Sequence, residues 1–317
     1  MFKIGMVGAG AIGRSHRRAI DANPVCSLEA VCDINEANAL MVTEGTDARV
    51  YSDYKEMAEK EKIDVVIINL PHFLHKDVSI FFLEKGINVL VEKPMANTKA
   101  ECDAMVAAAK KSGAALLIGH VQKYHDCYRI LKKMIDEGRF GKLCSITEER
   151  NQDYFPNRPA WFLDKAQSGG GIITNFGAHT LDKVMYTTGL HIEDIAAIGN
   201  NFITDHDVAA SVQLLVKFSE GVSGAFTYCG THIKSRYETN FYFTDAIAQI
   251  REGWQLWVSE NKGDFVRMDS DGDHYPNLIA RQLDEVVKYL SGEESEIVLP
   301  DYATEIVAAM EKAVNMM

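Results

Sequence analysis

No Cys-x-x-Cys pair occurs in the sequence, and its six cysteines, Cys26, Cys32, Cys102, Cys127, Cys144 and Cys229, are scattered among apolar neighbours. Their setting points to core thiols in a reducing compartment, and 317 residues can bury a core without a disulfide staple, which rules out a small disulfide-dependent scaffold. Positive charge is also short: 33 Lys and Arg face 45 Asp and Glu, a net charge of −12. A surface that neutralises duplex phosphates needs the opposite sign, so no nucleic-acid partner is expected. No apolar run approaches the roughly 20 residues that span a bilayer, and Met1-Phe2-Lys3-Ile4 enters a strand pattern rather than a signal peptide. With no Pro/Gly/Ser-rich tract and no block of like charge, extended disorder is excluded as well. These absences predict a soluble, cytoplasmic protein with no membrane partner.

What remains is an average globular composition, 47% hydrophobic and 25% charged, over 317 residues, enough for about two domains. The first third alternates β-branched runs with helical patterns, the βαβ rhythm of a parallel sheet. Candidate strands are Lys3–Val7, Leu28–Cys32, Val65–Asn69, Ile87–Val91 and Ala115–Ile118. Thr98-Lys99-Ala100-Glu101 matches a capping box opening a helix that Gly113 closes. After about residue 120 the rhythm changes to a helix near Tyr128–Glu137, a loop from Asn151 to Gly171, and a second helix. Alternating stretches then follow from Ile195, namely Ser211–Phe218, Val222–Tyr228, Tyr237–Thr244, Ala246–Arg251 and Gln255–Ser259. They predict a mostly antiparallel sheet, with helices at Ile279–Leu290 and along the stripe Tyr302, Ile306, Met310, Val314. The expected division is 1–121 and 122–317.

The strongest motif is Gly8-Ala9-Gly10-Ala11-Ile12-Gly13, directly after the first strand and opening a helix. Gly8 permits the tight turn, Gly10 a close backbone approach to a pyrophosphate, and Gly13 close packing of helix on strand. Phosphates would sit on the amides of the helix start, Ala11 and Ile12 included. Asp33 ends the second strand, 20 residues past Gly13, where a carboxylate binds the adenosine ribose hydroxyls; a turn-forming carboxylate is the plainer reading. A carboxylate there repels a 2′-phosphate, so NAD is expected over NADP.

Asn69-Leu70-Pro71-His72-Phe73-Leu74-His75 lies at a strand's carboxyl end, where open α/β folds bind ligands. Asn69, Pro71, His72 and His75 are candidates to line the cofactor cleft. No acidic or cysteine ligand stands beside the two histidines, so no metal site is expected. Glu92-Lys93-Pro94 ends another strand and brings Glu92 and Lys93 to the same edge as further cofactor-binding candidates. Oxidising an alcohol requires a base for the hydroxyl proton, which a lysine can be; a lone lysine at a strand end is as readily a solvated charge. The loop through Tyr154, Phe155, Arg158 and Trp161 mixes a cation, aromatics and amides as a pocket for a polyhydroxylated ligand would, although Arg158 also suits a surface. His120, Tyr124 and His125 follow the fifth strand. Asp269-Ser270-Asp271-Gly272-Asp273 departs from the EF-hand spacing and reads as a polar turn.

The glycine motif, Glu92-Lys93-Pro94, and Gly169-Gly170-Gly171 followed by His179 and Asp182, in that order, resemble the Gfo/Idh/MocA oxidoreductase family. Tyr128 through Leu143, and Trp161, fit the same pattern. The resemblance covers nearly the whole chain. It implies an α/β protein with an N-terminal Rossmann fold and a C-terminal α/β domain on a large, open, mostly antiparallel sheet, with a substrate cleft between them. It further implies a cis Lys93-Pro94 bond and an acid/base pair of Lys93 and His179. Asn175, four residues before His179 and so on the same helical face, stands where family dehydrogenases often carry aspartate. Asparagine offers only neutral hydrogen bonds, so an Asp-dependent relay is not expected.

The resulting expectation is an NAD(P)-dependent dehydrogenase acting on a CH–OH group of a sugar, polyol or related molecule, with Tyr124, Arg158 and Trp161 assisting Lys93, Asn175 and His179 at the substrate. The alternatives are a glycosidase or epimerase that retains its NAD, and a non-enzymatic dinucleotide- or sugar-sensing regulator. The resemblance also implies a homodimer or homotetramer.

Overall fold

The structure, a computed structural model, describes residues 1–156, 158–202, 205–232, 234–268 and 275–317. Asn157 and the polar turn read at Asp269–Asp273 lie outside the described residues. By their contacts the residues form two compact units, Met1–Val121 with His274–Thr304, and Gln122–Asp273 with Glu305–Met317.

In the first unit, β1 (Phe2–Val7), β2 (Cys26–Cys32), β3 (Arg49–Tyr51), β4 (Val65–Ile68), β5 (Asn88–Glu92) and β6 (Leu116–Gly119) alternate with helices. The helices are α1 (Ala11–Ala22), α2 (Glu36–Thr43), α3 (Tyr54–Lys60), α4 (His75–Glu84) and α5 (Lys99–Ser112). The strands form one parallel sheet in the order β3-β2-β1-β4-β5-β6. All residues of β4 and β6 are buried, because a parallel sheet is covered on both faces and its strands read as continuous apolar runs. The five expected strands are present, each shifted by a residue or two. The sixth, β3, is a three-residue edge strand, too short to show alternation. α5 carries the expected capping box, and Gly113 ends it at φ 77°. Between β1 and β4 the strand order reverses, the switch point at whose carboxyl edge dinucleotides bind.

The second unit holds α6 (Asp126–Asp136), β7 (Leu143–Asn151), the short α7 (Lys165–Ser168), α8 (Ile172–Thr188), β8 (Ile192–Asn200), β9 (Ser211–Phe218), β10 (Ser223–Cys229), β11 (Arg236–Phe243), β12 (Ala246–Arg251), β13 (Gln255–Glu260) and β14 (Val266–Arg267). They form an eight-stranded sheet ordered β14-β13-β12-β11-β7-β10-β9-β8. Its pairings are antiparallel except β7 with β10. Burial alternates along β9, β10 and β12, so one face is core and the other open.

The expected loop from Asn151 to Gly171 is more ordered than the sequence shows: Asn151 ends β7, and Ala160–Leu163 and α7 make helical turns. The chain ends in α9 (Tyr275–Leu290) and α10 (Pro300–Val314). In the first unit the Asn23 amide, just past α1, donates to Asp284 of α9 at 2.8 Å. Part of the stretch expected in the second domain, 122–317, thus returns to the first unit. Core cysteines are only part of the outcome: Cys144 is exposed and Cys229 half-buried, while the other four are buried.

Candidate functional site

The glycine turn is built tightly on its two neighbours. Gly8 sits at φ +94°, and a Cβ there would lie 2.6 Å from the Asn69 carbonyl oxygen. A Cβ on Gly13 would meet the Gly8 carbonyl oxygen at 2.6 Å, so α1 can rest on the turn only through glycine. Around Gly10 nothing comes within 4 Å of a Cβ position, which leaves room for a phosphate against the backbone. Gly10 is the N-cap of α1 and offers no capping side chain, and the first turn, Ala11 and Ile12 included, has no acid. Its amides are therefore available to an anion.

Asp33 holds the turn from the side. One carboxylate oxygen accepts from the Ala9 amide at 2.7 Å and the other from the Asn35 amide at 2.8 Å. Each oxygen keeps a further lone pair for a ribose hydroxyl. The Asn69 amide nitrogen donates to the Gly8 carbonyl at 3.3 Å, while its Oδ1 is buried with no partner among the described residues. An open floor, uncapped amides and a stranded acceptor together fit a dinucleotide.

The carboxyl ends of β4 and β5 complete this edge. Pro71 caps the helical turn His72–Leu74, and both its histidine and His75 are buried. His75 Nδ1 lies 2.9 Å from the Pro94 carbonyl and Nε2 lies 2.8 Å from the Leu70 carbonyl. Burial holds its pKa below the ordinary histidine value, against the pull of both carbonyls. The Lys93-Pro94 bond is cis. His16, on α1, lies with Nε2 2.9 Å from Glu92 Oε1, and Glu92 Oε2 accepts from the Lys93 amide at 3.2 Å. Burial alone would raise the Glu92 pKa, but His16 and Lys93 outweigh it and hold the carboxyl below its usual range. No group of three or more His, Cys, Asp and Glu among the described residues could hold a metal.

The remaining candidates belong to the second unit. Gly169, Gly170 and Gly171 all take positive φ, and a Cβ on Gly170 would lie 2.5 Å from Val314, so only glycines can make this turn into α8. α8 carries Asn175 and His179 on one face, both buried. Arg158 turns inward on its own loop: Nε donates to the Tyr154 carbonyl at 3.0 Å, with the guanidinium 4.5 Å from the Tyr154 ring centroid. Trp161 stacks on Phe162 at 3.9 Å, and Tyr124 is buried beneath the Lys123 ammonium.

Sequence reasoning missed a buried charge cluster next to α8. Glu148 Oε2 accepts from Lys183 Nζ at 3.2 Å and from Thr239 at 2.7 Å, and Oε1 accepts from Thr180. Lys183 also donates to the Tyr237 hydroxyl. Arg150 lies 3.8 Å from the Phe176 ring centroid and 4.6 Å from that of Tyr237. Burial pushes the Lys183 pKa down against the opposing pull of Glu148. A signal existed: Ile146, Glu148 and Arg150 alternate along β7, and Lys183 is four residues past His179. His16 was missed too, although it is three residues past Gly13 and so on the same face of α1.

Residues 2–120 match the model of an oxidoreductase family with an NAD-binding Rossmann fold, and residues 128–249 match the GFO/IDH/MocA C-terminal domain. The chain belongs to the GFO/IDH/MocA oxidoreductase family. Its N-terminal part is the family's NAD-binding Rossmann fold, which agrees with the cradle at Gly8–Gly13. Among curated relatives, 2,7-anhydro-N-acetylneuraminate hydratase of Mediterraneibacter gnavus is 30% identical over 62% of this chain and 52% of its own. Inositol 2-dehydrogenase of Salmonella typhimurium is 37% identical over 44% of this chain and 43% of its own. The chain thus spans about half the length of the curated relatives it matches. A levoglucosan dehydrogenase solved with NADH and L-sorbose has a TM-score of 0.90 at 19% identity, covering 99% of this chain and 96% of its own. That likeness shows the fold. No helix among the described residues is long and apolar enough to cross a membrane.

Proposed function

We propose that this protein is an NAD-dependent dehydrogenase acting on a CH–OH group of a sugar, polyol or related small molecule. The observation that carries the reading is the placement of Lys93: it follows β5, one strand from the switch point, in the unit that cradles the dinucleotide. Bound NAD supplies the hydride acceptor. Lys93 takes the proton of the substrate hydroxyl as the C–H electron pair leaves carbon, so alcohol becomes carbonyl and the proton rests on the amine. His179 assists that transfer and Asn175 hydrogen-bonds a second hydroxyl, with Tyr124, Arg158 and Trp161 shaping the substrate side. In this reading residues 1–121 hold the cofactor, with the stretch His274–Thr304 belonging to the same unit, and the rest of 122–317 holds the substrate, in a cytoplasmic protein.

The test is absorbance of reduced nicotinamide with NAD or NADP and a panel of polyols, sugars and sugar acids. Turnover with at least one member is expected, and with NAD in preference to NADP, because the Asp33 carboxylate repels a 2′-phosphate. Silence across the panel despite NADH binding would favour a second reading, an NAD-retaining enzyme whose hydride returns to the same substrate. One observation favours that reading, a relative named as a hydratase, and Asn175 is compatible with it without pointing there. Cofactor that survives dialysis would then be expected.

We also propose a homodimer or homotetramer, formed over the open sheet face where Ile198 and Leu215 are exposed. Light scattering should give two or four times the 35.3 kDa chain mass; a mass of one chain would contradict it.

A further inference from the structure

We infer that two buried histidines, His16 and His75, are positioning residues that grip the chain on either side of Lys93 and so set where its ammonium lies. The grip is asymmetric. His16 acts before the lysine, with Nε2 2.9 Å from Glu92 Oε1, and the other oxygen of that carboxylate accepts from the Lys93 amide at 3.2 Å. His75 acts after it, with Nδ1 2.9 Å from the Pro94 carbonyl and Nε2 2.8 Å from Leu70 on the neighbouring β4 loop. Both imidazoles are buried, 1% and 0% exposed, and the ring nitrogens named here face protein groups. Each sets one ring nitrogen against a group adjacent to Lys93, His16 Nε2 against the Glu92 carboxylate and His75 Nδ1 against the Pro94 carbonyl. Burial favours a neutral His75 imidazole, with a single N–H to give, and we assign that donor to Nδ1. His16 lies on α1 behind the glycine turn, and His75 opens α4 after the loop that follows Asn69.

A side chain held from both flanks loses the backbone freedom that would spread its ammonium over several positions. A reacting group misplaced by about 1 Å loses about 10²-fold in rate, and supporting contacts of this kind keep it in place. The same contacts link the dinucleotide cradle to Lys93, since His16 is on the helix that Gly10 caps and Leu70 follows Asn69.

The inference rests on the reading of Lys93 as the acid/base group, and the test separates the two. An asparagine amide nitrogen overlays histidine Nδ1, and a glutamine amide nitrogen overlays Nε2. His75→Asn keeps the contact to Pro94 and should retain kcat within a few-fold, whereas His75→Gln keeps only the Leu70 contact and should lose about 10²-fold. At His16 the pattern reverses: His16→Gln retains the bond to Glu92 and its activity, and His16→Asn loses about 10²-fold. The losses should fall on kcat, with the KM for NAD and NADH binding by fluorescence little changed, which also reports that each variant is folded. A simple packing role would not make the better substitute opposite at the two sites. Equal losses for Asn and Gln at either site, or losses confined to the KM for NAD, would overturn the inference. So would full kcat in all four variants alongside an inactive Lys93→Ala. An active Lys93→Ala would instead remove the reading on which it rests.

Discussion

Lys93→Ala should lower kcat by about 10²–10⁴-fold, the range lost when a positioned acid/base group is removed, while NADH still binds. The two effects should separate because Asp33 and Asn69 brace the glycine turn. The Ala9 amide is held by Asp33 and the Gly8 carbonyl by Asn69, and Gly10 brings no capping side chain to the start of α1. The Lys93 backbone amide bonds to Glu92 and would survive the substitution. Steady-state turnover with the substrate found in the panel, together with NADH fluorescence titration, checks both parts. Turnover within a few-fold of the unmodified protein would show that Lys93 is a solvated charge and not the proton acceptor. Loss of NADH binding would show that its role is electrostatic attraction of the cofactor.

Glu148→Ala should destabilise the second unit by about 3–5 kcal/mol, the cost of leaving a buried charge uncompensated. The Glu148 and Lys183 side chains are 0% and 1% exposed, so water cannot replace the lost carboxylate. Lys183 and the nearby Arg150 would then lie buried together without their anion, and the Thr180 and Thr239 hydroxyls would lose an acceptor. The expected thermal shift is a fall in Tm of roughly 10 °C, measured by circular dichroism or calorimetry. Glu148→Leu combined with Lys183→Met should recover part of that loss, the share due to the stranded Lys183, because replacing a buried pair by apolar groups of similar size is often neutral, while Arg150, Thr180 and Thr239 still lack their partner. A Glu148→Ala variant melting within a degree or two of the original would mean that the cluster is hydrated.

The mutated cluster also marks where sequence reasoning stopped. Elements held by local rules were legible: the glycine turn at Gly8–Gly13 is dictated by backbone clearance, the α5 boundaries by Thr98, Glu101 and Gly113, and the antiparallel strands by period-two alternation. Asn69, Asp33 and Lys93 were legible for the same reason, since a strand's carboxyl end is set by where its apolar run stops. β3 was not, because three edge residues carry no period. Nor was β7, whose inward positions are Ile146, Glu148 and Arg150: two charges on the core side of a strand break the apolar alternation by which strands are recognised.

Composition and motif order by themselves thus determined the fold class, the dinucleotide cradle and the identity of the lysine at its edge. Tertiary structure alone decided which distant groups meet. His16 is 76 residues from Glu92, and Lys183 is 35 from Glu148 and 54 from Tyr237. A contact across such separations depends on sheet order and on the register of a helix against it, neither of which any local window of sequence contains. The physical reason is that burial makes it costly to leave either partner unpaired, and burial belongs to the folded whole.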